Sequence, residues 1–107
     1  MNFKVFLTSN AEKDIISIYN YIYFNDSPYR ADIIYRKMKD TISKLTNQPE
    51  RGHIPPELDK IGIRYVKEIH SKPYRIFYQV VKQNVFVLFV LDGRRNIEEI
   101  LLNKLQH

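Results

Sequence analysis

Hydrophobic positions change their period along this chain. Ala11, Ile15, Ile18, Tyr19 and Ile22 recur at offsets of 4, 7, 8 and 11, which is one face of a helix. Ser9-Asn10-Ala11-Glu12 fits a capping box with Ser9 as N-cap, so the spacing predicts a helix over about residues 10–24. Asn25-Asp26-Ser27-Pro28 then breaks the period. Ser27 suits an N-cap and Pro28 the first helical position, where a missing N–H costs nothing. Ala31, Ile34, Tyr35, Met38, Ile42 and Leu45 form the stripe of a second helix, and the short link makes the two an antiparallel hairpin. Residues 46–62 carry Pro49, Gly52, Pro55, Pro56 and Gly62 without a period and read as loop.

Strand patterns occupy residues 3–7, 63–69, 74–81 and 85–91. Lys82-Gln83-Asn84 joins the last two as a hairpin. The run 85–91 is apolar at every position, so both its faces need cover and it reads as a central strand. In the run before it, Tyr74, Ile76, Tyr78 and Val80 share one face, and Arg75, Phe77, Gln79 and Val81 the other. The helical hairpin covers one of these faces; the other is a candidate binding face. Asn96-Ile97-Glu98-Glu99 then opens a last helix with Ile97, Ile100, Leu101 and Leu105 on its apolar side. The expectation is a single α+β domain over 1–107, β-α-α-β-β-β-α, with an antiparallel meander sheet and an N-terminal helical hairpin packed on it.

Charge adds a direction. The net +5 lies wholly in residues 60–107, because 1–59 hold eight Lys/Arg and eight Asp/Glu. That asymmetry suggests a polyanionic or acidic protein partner. Arg75 sits in an apolar strand, and Arg94 and Arg95 follow the last strand after Asp92-Gly93, so three guanidinium groups stand at strand ends as a platform. A guanidinium at Arg75 requires a partner, either an outside phosphate or an internal carboxylate. Arg94 and Arg95 have Glu98 and Glu99 one turn on, pairs worth only ~0.3–0.5 kcal/mol. The chain has no cysteine, and His53, His70 and His107 show no ligand spacing, so neither a metal nor a cofactor is expected. No apolar run approaches a membrane span, and too few residues precede the first helix for a signal peptide. The expected location is the cytoplasm.

Several motifs together resemble the RelE/ParE superfamily, the toxins of bacterial type II toxin–antitoxin pairs. They are Ala11-Glu12-Lys13-Asp14-Ile15, Leu45-x-x-x-Pro49-x-x-Gly52, Gly62-Ile63-Arg64, Tyr74-Arg75-Ile76-Phe77-Tyr78 and Asp92-Gly93-Arg94-Arg95. The resemblance implies a cognate antitoxin as partner, a toxin–antitoxin hetero-oligomer, and either DNA gyrase or the ribosome with its messenger RNA as target. It marks Arg64, Lys67, Arg75, Arg94 and Arg95 for target or antitoxin binding. In RelE-like members, which cut messenger RNA in the ribosome, Arg75 and Arg95 match arginines that contribute to cleavage. Such cleavage needs a base, an acid and charge stabilisation, and arginine supplies only the last. Asp92, Glu68, Tyr65 or His70 would have to move the proton. The lysine pair of RelE is not reproduced at Val66-Lys67-Glu68, no tyrosine follows Tyr78, and Asp92 stands where many relatives have histidine. The resemblance therefore implies gyrase poisoning in the ParE manner first and a ribosome-dependent endonuclease second. A degenerate toxin that only binds its antitoxin and regulates their operon is the third reading.

Overall fold

The computed structural model describes residues 2–105 of the 107. The elements run β1 (Lys4–Leu7), α1 (Ser9–Asn25), α2 (Pro28–Ser43), α3 (Pro56–Asp59), β2 (Lys67–Ser71), β3 (Tyr74–Val81), β4 (Asn84–Asp92) and α4 (Ile97–Leu105). A short 3-10 helix, Lys44–Thr46, ends α2. The α+β class and the helical hairpin are as the hydrophobic pattern predicts. The N-cap of α1 is Thr8, not Ser9: its hydroxyl accepts from the Ala11 amide at 3.1 Å. The same hydroxyl donates to the Leu88 carbonyl at 2.8 Å, a tertiary bond that Ser9 inside the helix does not make. Ser27 caps α2 through the Arg30 amide at 3.0 Å, with Pro28 first in the helix.

The sheet order is β1-β4-β3-β2. Strands β2, β3 and β4 form the expected antiparallel meander, but β1 pairs parallel with β4, from Lys4 opposite Asn84 to Leu7 opposite Val87, so the sheet as a whole is mixed. The run 85–91 does take an interior place. Its apolar residues demand two neighbours, and β1 supplies the second, an orientation that period alone does not specify. Strand β2 begins at Lys67, opposite Tyr78 of β3, rather than at residue 63.

A bulge explains why β4 is apolar throughout. Phe77 faces Phe89 but Tyr78 faces Val87, so Leu88 is one residue too many and the alternation flips. Val85 and Val87 join Ile76, Tyr78, Ile15, Met38 and Leu45 under the helical hairpin. Phe89 and Leu91 join Phe77, Leu58, Val66, Ile97 and Leu101 on the opposite side. That second face, expected to be open for binding, is covered by α3, α4 and the chain around Val66. An amphipathic α4 with Ile97 and Leu101 has to bury them, and the free face of the sheet is where the chain emerges.

Candidate functional site

The loop after α2 is built around one hydroxyl. Tyr78 is fully buried, and its OH donates to the Pro49 carbonyl at 2.8 Å and accepts from the Gly52 amide at 3.0 Å. A side chain at Gly52 would place its Cβ 2.6 Å from that oxygen and 2.5 Å from the Glu68 carbonyl. The Pro49-x-x-Gly52 motif is thus a socket for Tyr78, and burial pushes the phenol pKa up.

Next to the socket lies a charged cluster. Glu68, only 1% exposed, receives Arg75 Nε at 2.6 Å on Oε1 and Nη2 at 2.8 Å on Oε2. Glu57 receives Nη1 and Nη2, each at 2.8 Å. Two carboxylates therefore take a bidentate grip on one guanidinium, which also stands 5.3 Å over the Phe77 ring. The bonds to Glu57 and then Glu68 raise the Arg75 pKa, and Arg75 in turn lowers that of Glu57. Gly93 completes the packing. Its amide donates to the Pro73 carbonyl at 2.8 Å, and a Cβ there would come within 3.2 Å of the Arg75 stem. His53 and His70 flank Glu68, with Nε2 atoms 3.3 Å and 2.8 Å from its two oxygens.

Arg94 and Arg95 lie elsewhere. With Tyr21, Arg30, Tyr74 and Asp92 they line a cleft of about 710 Å³ between the strand ends and the helical hairpin. Arg94 grips Asp92 through Nε at 2.9 Å and Nη2 at 2.7 Å, which lowers the Asp92 pKa. The expected three-arginine platform does not form: Arg75 points to the α3 side with Glu57 and Phe77, while Arg94 and Arg95 face the hairpin side. Nor do Arg94 and Arg95 pair with Glu98 and Glu99; Glu98 meets Lys60 at 2.8 Å. Arg64 pairs with Asp59 and Lys67 with Glu50 at 3.2 Å. Of the five cations marked for binding, Arg64 and Arg94 hold exposed pairs that exchange readily with a partner. Arg75 does not, since its side chain is 15% exposed and doubly held.

Glu57 carries no signal in the sequence because it sits in the loop-like segment 46–62, and His53, in the same segment, lies too far along the chain from His70 for their spacing to mark a pair. The Glu68-x-His70 spacing within a strand was the legible signal, since residues two apart share a face. A second hollow, of about 290 Å³, runs between β1 and α2 and is lined by Val5, Leu7, Ile15, Tyr35, Met38 and Ile42.

Comparison with known proteins agrees with this architecture. The family described as ParE toxin of type II toxin–antitoxin system, parDE, matches residues 5–97. No relative was found among curated protein sequences. Among solved structures, the chromosomal ParDE system from P. aeruginosa aligns with a TM-score of 0.67 at 16% identity, over 82% of this chain and 92% of that one. A mutant of the toxin RelE from E. coli in the free state aligns at 0.66 and 17%, over 99% and 97%. The RelBE2 toxin–antitoxin complex from Mycobacterium tuberculosis aligns at 0.61 and 18%, over 84% and 96%. ParE and RelE structures are thus matched about equally, and they share the fold. With the family matched over nearly the whole sheet and both hairpin helices, this chain belongs to the ParE toxins of type II toxin–antitoxin systems, within the RelE/ParE superfamily.

Proposed function

We propose that this toxin acts on DNA gyrase in the ParE manner and is neutralised by its cognate antitoxin. The observation that carries the reading is the state of Arg75. Its guanidinium is committed to Glu57 and Glu68 on the α3 side, away from Arg94 and Arg95. A ribonuclease of this fold would need Arg75 on the scissile phosphate; Glu68 and His70 stand beside it as groups able to move a proton, but phosphate would have to displace two carboxylates first. Cations open to a macromolecular target are instead Arg64, whose ion pair is exposed, and Arg94 and Arg95 in the cleft, which suit binding more than proton transfer.

The antitoxin reading rests on the family and on β1. This strand is at a sheet edge, so its outer backbone groups are open to another chain, and the apolar hollow beside it would receive alternate side chains of an added segment. An acidic segment would also meet the net positive charge.

The test runs two assays on the purified protein: supercoiling by gyrase, and integrity of ribosome-bound messages. The expected result is inhibited supercoiling, relieved by the antitoxin, with messages intact. Codon-specific cuts at the decoding site without gyrase inhibition would overturn it in favour of the endonuclease that uses Arg75 and Arg95. Neither effect, with antitoxin still bound, would leave only the operon-regulating module.

A further inference from the structure

The fold brings together two histidines that are distant in sequence. His53 forms an antiparallel bridge with Glu68: the His53 amide donates to the Glu68 carbonyl at 3.1 Å and the Glu68 amide to the His53 carbonyl at 2.7 Å. Residues paired in this way carry their side chains on the same face. His70, two residues beyond Glu68 on β2, shares that face too. One ring nitrogen of each imidazole and a Glu68 carboxylate oxygen all lie within 4.8 Å of one another. The rings meet edge to face, with centroids 5.5 Å apart.

We propose that His53, Glu68 and His70 bind a divalent transition-metal ion, with zinc the best match, through two imidazole nitrogens and one carboxylate oxygen. Two imidazoles and a carboxylate are a borderline donor set that suits zinc and its neighbours rather than calcium or magnesium. Bonds of about 2.0–2.2 Å place tetrahedral ligand atoms roughly 3.4 Å apart. Small rotations of the two histidines, 59% and 42% exposed, would bring their nitrogens toward that geometry. Glu68 needs none. It is buried and held through both oxygens by Arg75, and Arg75 is itself balanced by Glu57, which is the outer support that metal-binding carboxylates require. With neutral imidazoles the five side chains sum to one negative charge, which favours a cation. The exposed side leaves a coordination position for water or for a donor atom from a bound partner. The ion would fasten the segment around His53 to β2. The site is independent of which target the toxin attacks.

Histidines that merely donate to Glu68 are the competing explanation, and glutamine separates the two, because its amide keeps that hydrogen bond but is a poor zinc ligand. The full chain, without a polyhistidine tag and stripped with chelator, is titrated with Zn²⁺ by calorimetry and with Co²⁺ by visible absorption. The expected result is one saturable site per chain, a rise in thermal midpoint with zinc, and at least about tenfold weaker binding in His53→Gln and in His70→Gln. His107, outside the described residues, provides the control: His107→Gln should bind as the parent does. Folding of each variant is checked by its midpoint in chelator. Absence of a saturable site, or zinc binding and midpoint shifts that survive both His53→Gln and His70→Gln, would overturn the proposal.

Discussion

Arg75 and Glu68 meet side by side across β3 and β2, Nε and Nη2 against Oε1 and Oε2 at 2.6 and 2.8 Å. The carboxylate is almost wholly removed from water, and the guanidinium has its other edge on Glu57. A charge held this way supports the fold before it can serve a partner. The first prediction follows from it. Arg75→Ala strands two carboxylates and should cost about 3–5 kcal/mol. Arg75→Lys, with a compact ammonium in place of a fork, should lose part of that. Urea midpoints measure both. A loss under about 1 kcal/mol for Arg75→Ala would show that the cluster does not stabilise the sheet, and reduced toxicity of this variant should track its reduced stability.

Asp14, on α1, accepts from the Val90 amide at 2.9 Å through Oδ2. The bulge at Leu88 shifts the pairing of β4, and Asp14 supplies the acceptor for the buried Val90. Asp14→Ala should therefore cost about 1–3 kcal/mol, while Asp14→Asn, which keeps an acceptor oxygen, should cost less. Faster hydrogen exchange at the Val90 amide in Asp14→Ala is the direct readout.

Thr8 holds the N-cap that the capping pattern assigns to Ser9. Thr8→Ala removes an N-cap and the bond to Leu88 and should cost about 1–2 kcal/mol. Ser9→Ala should stay within about 0.5 kcal/mol. In the same denaturant series Val87→Ala, at a fully buried position, should cost about 2–3 kcal/mol, more than Leu88→Ala at the half-buried bulge. A reversed order in either pair would contradict the assigned cap or bulge.

Acid should weaken the domain through Glu57 and Asp92. The hydrogen bonds from Arg75 hold the Glu57 carboxyl below its ordinary range, and those from Arg94 do so for Asp92. A carboxylate lowered on folding adds stability that is fully present above the ordinary value, ~4.3 for Glu, and is lost as pH falls through the folded value. Thermal midpoints taken from pH 7 to pH 3 should fall below about pH 4.3. Glu57→Gln should start lower and fall less steeply there. An unchanged slope would show that Glu57 is not held by Arg75.

Local pattern along the chain was enough for the α+β class and for most elements, but not for α3, which lies in the segment 46–62 that reads as loop, nor for the start of β2. Helical period placed α1 and α2, Ser27-Pro28 started the second helix, and an unbroken apolar run marked β4 as interior. These signals are local, because burial on one face or on two leaves its period in the chain. Strand pairing and side-chain partners depend on packing between distant parts of the chain. Period two is the same for parallel and antiparallel neighbours, so nothing in residues 3–7 announced that β1 would lie parallel to β4. Arg75 showed that it needed a partner but not which one: Glu57 stands on a helix of one turn inside a proline-rich segment, and only the packing of that segment onto β2 and β3 brings it within 2.8 Å. His53 reaches Glu68 by a single backbone bridge, with Gly52 beside it fitted against Tyr78. Contacts between residues far apart in the chain carry no period, so the cluster around Glu68 exists only once the sheet is assembled.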